Sequence, residues 1–166
     1  CLEKVEGTWS VYHHELMKKH KGRTFNFTLS SSLKKEYHEN GELRFEGAVI
    51  ESGKEGTCKW YHDNGQLKEV NVWHNDLPNG KILMYHPNGK KSTEAIAING
   101  IKEGEATLWH ENGQVSEILY YTNNMITGDY ISYHPNGQLN EKGVFDNSEK
   151  VGVWEKYDKN GTKIEE

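Results

Sequence analysis

An aromatic residue, His, one variable residue, Asn and Gly follow one another every 24 residues, starting at Tyr37, Tyr61, Tyr85, Trp109 and Tyr133. The pattern returns once more at Tyr157, with Asp158 in the His place. A glycine precedes five of these aromatics by five residues (Gly56, Gly80, Gly104, Gly128 and Gly152), and Gly7 stands likewise before Tyr12. The phase holds through residues 37–166 without an insertion, so the chain reads as a stack of one small unit rather than a globule around a central core.

Each unit reads as two short strands joined at Asn-Gly, as in Thr57 to His62, then Asp63-Asn64-Gly65, then Gln66 to Trp73. Asn-Gly alone suggests a two-residue loop, but Pro87 and Pro135 stand just before Asn, where such a loop would need a ladder N–H. A type I turn accepts Pro at its second position and a left-handed Gly at its fourth, which makes the loop three residues long. His then pairs with the residue after Gly, and each aromatic faces the residue two after Gly. The expected pairs are Tyr37 with Leu43, Tyr61 with Leu67, Tyr85 with Lys91, Trp109 with Val115, Tyr133 with Leu139 and Tyr157 with Lys163. Aromatic-aliphatic pairs of this kind contribute about 0.2–1 kcal/mol each.

Leu83, Thr107 and Ile131 extend the aromatic face. Without a further bulge, Val49, Trp73, Ala97, Tyr121 and Phe145 do so too, and this is the expected buried or groove side. Val72, Ile96, Tyr120 and Val144, with Trp60, Met84 and Leu108, are then expected to point the other way. A second turn falls at Asn75-Asp76, Asn99-Gly100, Asn123-Asn124 and Asn147-Ser148, with Glu51-Ser52 in the first unit. Two strands per unit advance the sheet by about 9.6 Å. The fold class expected is all-β: an elongated, twisted single-layer antiparallel sheet of tandem 24-residue hairpins. Residues 1–36 read as a degenerate N-terminal capping unit and 37–166 as six tandem repeats, all in one domain.

Composition agrees with a thin sheet: 34% of residues are hydrophobic, too few for a thick two-layer core, while 11% aromatics are too many for disorder. The net charge of −5 is uneven, with 7 Lys and Arg against 4 acids in 1–36 and 13 against 21 in 37–166. An acidic array disfavours nucleic acid and anionic membrane as partners. No apolar run approaches the roughly 20 residues of a membrane-spanning helix. Cys58 reads as a small packed residue. A chain starting at Cys1 matches the mature start of a bacterial lipoprotein, which makes Cys1 a candidate lipid anchor.

The five phased histidines, His38, His62, His86, His110 and His134, invite a metal. At about 9.6 Å apart they are too distant to share one ion, whose ligands lie about 2.0–2.1 Å from it. Their place is also the first position of a type I turn, which Asp158 fills equally well. His13-His14-Glu15 lacks the second zinc-binding histidine, because Lys18 stands there, and Ser30-Ser31-Ser32 has no nucleophile-elbow context. Neither catalytic residues nor a cofactor or metal site are expected.

Gly152-Val153-Trp154-Glu155-Lys156-Tyr157-Asp158-Lys159-Asn160-Gly161 resembles the MORN-repeat family, in its bacterial variant form, closely over 37–166 and loosely over 7–36. The resemblance implies a hairpin array that serves as a binding or scaffolding module, and bacterial members are often described as antitoxin components of toxin–antitoxin systems. The eukaryotic form, linked to phospholipid recruitment, carries a Gly-x-Gly that this chain lacks. Tyr and Trp anchor protein interfaces. The expectation is therefore a non-catalytic scaffold that binds another protein, an antitoxin-like or immunity partner of a toxin, through Tyr37, Tyr61, Tyr85, Trp109, Tyr133 and Tyr157 with Trp73 and Tyr121. The alternative is a cell-envelope lipoprotein with a structural or glycan-contacting role.

Overall fold

The structure, a computed structural model, describes residues 32–164. Residues 1–31 of the capping unit expected over 1–36, Cys1 among them, and the last two residues of the chain lie outside that range.

Among the described residues thirteen strands form one open antiparallel sheet in which sequence neighbours are also spatial neighbours. β1 (Ser32–Tyr37) and β2 (Leu43–Ile50) form the first hairpin, β3 (Gly53–Tyr61) and β4 (Leu67–His74) the second, and β5 (Leu77–Tyr85) and β6 (Lys91–Ile98) the third. β7 (Ile101–Lys102) and β8 (Gly104–Trp109) are two pieces of one strand, both paired to β6, and β8 continues to β9 (Val115–Thr122). β10 (Met125–Tyr133) with β11 (Leu139–Asp146), then β12 (Glu149–Tyr157) with β13 (Lys163–Ile164), complete the array. Its first-to-last strand distance is about 50 Å at ~4.8 Å per step.

The Asn-Gly loops have the geometry that proline demands. His62 N–H donates to Gln66 O at 2.8 Å, Gly65 N–H donates to His62 O at 3.0 Å, and Gly65 is left-handed at φ 79°. The same two bonds recur in every unit through Asp158 and Gly161. All six expected aromatic pairs are present, from Tyr37 with Leu43 to Tyr157 with Lys163. Four of the five second turns are two-residue loops with both residues left-handed, as at Asn75 (φ 49°) and Asp76 (φ 62°), the type I′ geometry that suits tight hairpins; at Glu51-Ser52 the positive φ falls instead on the following Gly53.

One expectation fails here. Immediately after five of the six aromatic pairs the register slips by a residue: Tyr61 faces Leu67, but Trp60 faces Glu69, whereas Lys156 follows Tyr157 in register. The same bulge recurs beside Tyr37, Tyr85, Trp109 and Tyr133. An extra residue reverses every later side chain. Val49, Trp73, Ala97, Tyr121 and Phe145 therefore lie opposite the aromatic row, while Val72, Ile96, Tyr120 and Val144 join it. Leu83, Thr107 and Ile131 stay with the row, as expected.

The buried side is consequently the other one. Among the described residues Phe45, Cys58, Asn71, Ala95, Ala97, Ala106, Leu119 and Ser132 are buried, and the register puts all of them opposite the tyrosines. A single layer buries them by folding large side chains over small ones within the same face. Ile82 pairs with Ala95, Leu119 with Ala106, and Tyr130 with Gly143, so volume alternates across each ladder. Rings close the ends: Phe45 lies 5.0 Å from Trp60, and Phe145 5.0 Å from Trp154. Burial holds the Cys58 thiol above its ordinary pKa, as a packed rather than reactive sulfur.

Candidate functional site

Two longitudinal rows mark the face that carries the aromatics. The first runs beside the Asn-Gly loops, from Tyr37, which is 60% exposed, through the half-buried Tyr61, Tyr85, Trp109, Tyr133 and Tyr157. The second runs beside the type I′ turns and contains Val72, Ile96, Tyr120 and Val144, each between 41% and 46% exposed. Of thirteen exposed large apolar side chains among the described residues, the register places twelve on this face, Ile164 being the exception. Sequence reasoning missed the second row because the bulge that turns it outward has no distinctive residue.

Between the rows, carboxylates hold the Tyr61 and Tyr157 hydroxyls. Tyr61 Oη donates to Glu46 at 2.8 Å, and Lys59 reaches the same carboxylate oxygen at 3.1 Å. Burial and then that hydrogen bond push the Tyr61 phenol up to about 12. Lys91 lies 4.9 Å above the Trp109 ring. At the far end Glu155 takes contacts from Lys142 and Lys163, each at 2.7 Å, and from Tyr157 Oη at 2.9 Å. Lys142, then Lys163 and Tyr157, hold its carboxyl down at about 2 from 4.5.

Because its folded pKa is depressed, Glu155 contributes stability above pH 4.5 that is lost as pH falls toward about 2. The expected result is release of β13 in that window, seen as loss of the folded Lys163 amide signal by NMR. Glu155→Gln should weaken β13 already at neutral pH and flatten its acid response. An unchanged transition in that variant would assign the titration elsewhere.

Trp73 and Tyr121, expected beside the tyrosine row, are on the opposite face. They lie on the packed face, where Lys54 and Lys102 sit 4.3 Å and 5.0 Å from their ring centres.

The phased histidines join hairpin to hairpin. His38 Nε2 donates to Tyr61 O at 2.9 Å, His62 to Tyr85 O at 2.9 Å, and His86, His110 and His134 to Trp109, Tyr133 and Tyr157 O at 2.8 Å. Each Asn side chain works alongside. Asn64 Oδ1 accepts from Gln66 N–H at 3.0 Å inside its own turn, and its Nδ2 donates to Pro87 O in the next at 2.8 Å. The turns thus form a continuous rail at the edge of the aromatic row. The Asp158 side chain has no donor to extend this rail; its carboxylate accepts from the Asn160 and Thr162 N–H groups, each at 2.9 Å. Thr162 and Asn160 thereby hold its pKa below the ordinary value.

Among the described residues no three His, Cys, Asp or Glu side chains group closely enough to hold a metal ion, and no helix is long and apolar enough to cross a membrane. The arrangement is suited to binding over an extended surface.

No curated protein matches the chain. The model described as the MORN repeat variant matches at residues 33–48, 54–75, 102–123 and 126–147. Residues 78–99 lie between those matches, yet β5 and β6 repeat the same turn, bulge and His86 bond. The chain is thus a tandem array of MORN-like hairpins, with four segments that match the MORN repeat variant.

Proposed function

We propose that this chain is a non-catalytic scaffold that binds another protein across the face carrying Tyr37, Tyr61, Tyr85, Trp109, Tyr133 and Tyr157. One observation carries the reading: exposed apolar side chains are segregated onto that face, while the buried ones lie opposite. Exposed apolar side chains gathered on one face mark interaction sites on soluble proteins, and half-buried Tyr and Trp are the side chains that anchor them. The partner class that the resemblance implies is a toxin, which this chain would hold as its antitoxin or immunity protein. MORN repeats commonly serve as scaffold or binding repeats, which supports the broader reading.

Trp109→Ala with Tyr133→Ala is expected to weaken capture of the partner roughly tenfold or more, as truncated anchors do. His110→Ala with His134→Ala should disturb stability more than capture, since those rings bind the Tyr133 and Tyr157 carbonyls. Pull-down against a co-expressed toxin candidate, with folding checked by circular dichroism, separates the two. Equal or reversed losses would remove the aromatic row from the interface.

A further inference from the structure

We infer that the aromatic face is also self-complementary, and that a second copy of this chain packs against it face to face, with the two arrays antiparallel. This rests on the reading of that face as the binding face. The area is sufficient: a sheet about 50 Å long and about 20 Å wide presents roughly 1,000 Å², against the roughly 800 Å² per partner of a standard stable interface.

Charge decides the orientation. Among strand residues whose pairing assigns them to this face, the half up to β6 carries Lys35, Lys59, Lys81 and Lys91 against Glu46, Glu55 and Glu94, a net +1. The half from β8 onward carries Lys142 and Lys163 against Glu105, Asp129, Asp146, Glu149 and Glu155, a net −3. Two ways of turning one sheet onto another keep the strands aligned, as in β-sandwiches. A two-fold axis along the strands lays the cationic half on the anionic half and the Val72, Ile96, Tyr120 and Val144 row on its own copy. An axis along the array lays −3 on −3 and the apolar row on the tyrosine row. The first satisfies both demands at once, and such an isologous contact closes after two copies.

Near the centre of that contact Ile96 is 46% exposed, so a change there leaves the packed face untouched. Sedimentation velocity of the full chain, from micromolar to submillimolar concentration, should show twice the single-chain mass for the native protein. Ile96→Lys should give the monomer with an unchanged circular dichroism spectrum. Asp129→Lys with Glu149→Lys turns the −3 half into +1 and should raise the dimer dissociation constant roughly tenfold through like-charge opposition. In the other orientation the same change relieves repulsion and tightens the dimer, so tightening overturns the antiparallel arrangement. A native chain that stays monomeric throughout overturns self-association altogether. Capture of a different protein that depends on Trp109 and Tyr133 would then still uphold the binding face, whereas loss of both results would bring down the reading beneath it.

Discussion

Gly47→Ala is expected to destabilise the array by about 1–3 kcal/mol, and Gly47→Val by more, although a side chain gained in a strand interior is ordinarily favourable. A Cβ at Gly47 would meet Cys58 Sγ at 2.5 Å and the Phe45 ring at 2.9 Å. Cys58 is fully buried, with no room to withdraw, and Phe45 is held against Trp60. The new methyl must therefore displace the lid of the packed face at its N-terminal end. Urea unfolding followed by tryptophan emission would read the loss. Cys58→Ala removes the sulfur from the same spot, so the two substitutions should compensate, with a coupling of about 1 kcal/mol or more in a double-mutant cycle. A neutral Gly47→Ala, or strictly additive losses, would mean that small residues in this column are not there to receive their neighbours.

That column was open to view in the sequence. Gly47, Asn71, Ala95, Leu119 and Gly143 recur every 24 residues, and so do Cys58, Ile82, Ala106, Tyr130 and Trp154. The two columns complement each other in volume only once the register slips beside the aromatic pair. Nothing marks the slip locally, since the extra residue is Arg44, Lys68, Ser92, Ser116 or Asn140, side chains with no shared demand on the backbone. The Asn-Gly loop was legible because Pro87 and Pro135 forbid one loop length outright. The bulge next to it was not, because a residue is accommodated there without being required. Hence the tyrosine row and its cross-strand partners pair as expected, whereas the bulge moves Trp73 and Tyr121 to the opposite face and brings Val72, Ile96, Tyr120 and Val144 beside the row. The histidines show a different limit: their turn position was evident, but their bond to the next hairpin depends on how turns stack. The one clue was the exchange of His for Asp158 in a turn with no further hairpin beyond it among the described residues.

His86→Ala combined with Asn88→Ala is expected to cost about 2–3 kcal/mol and to split a cooperative unfolding transition in two. The pair loses three hydrogen bonds, each worth about 1 kcal/mol net: His86 Nε2 to Trp109 O, Asn88 Nδ2 to Glu111 O, and Lys90 N–H to Asn88 Oδ1. Two of them cross the seam between the hairpins of Tyr85 and Trp109, where β6 is already paired to two separated pieces, β7 and β8. In a linear array each unit is stabilised by its neighbours alone, so weakening one seam uncouples the halves on either side. Hydrogen exchange should then report different opening free energies for strands before and after that seam. The matching control is Asp158→Ala with Asn160→Ala, where the Asp158 carboxylate caps only its own turn; it should cost less and leave the transition single. His86→Asp isolates the ring, because aspartate supports a type I turn yet cannot donate to the Trp109 carbonyl. A loss of about 1 kcal/mol there assigns the histidine to the seam, whereas an unaffected His86→Asp protein would return it to the turn alone.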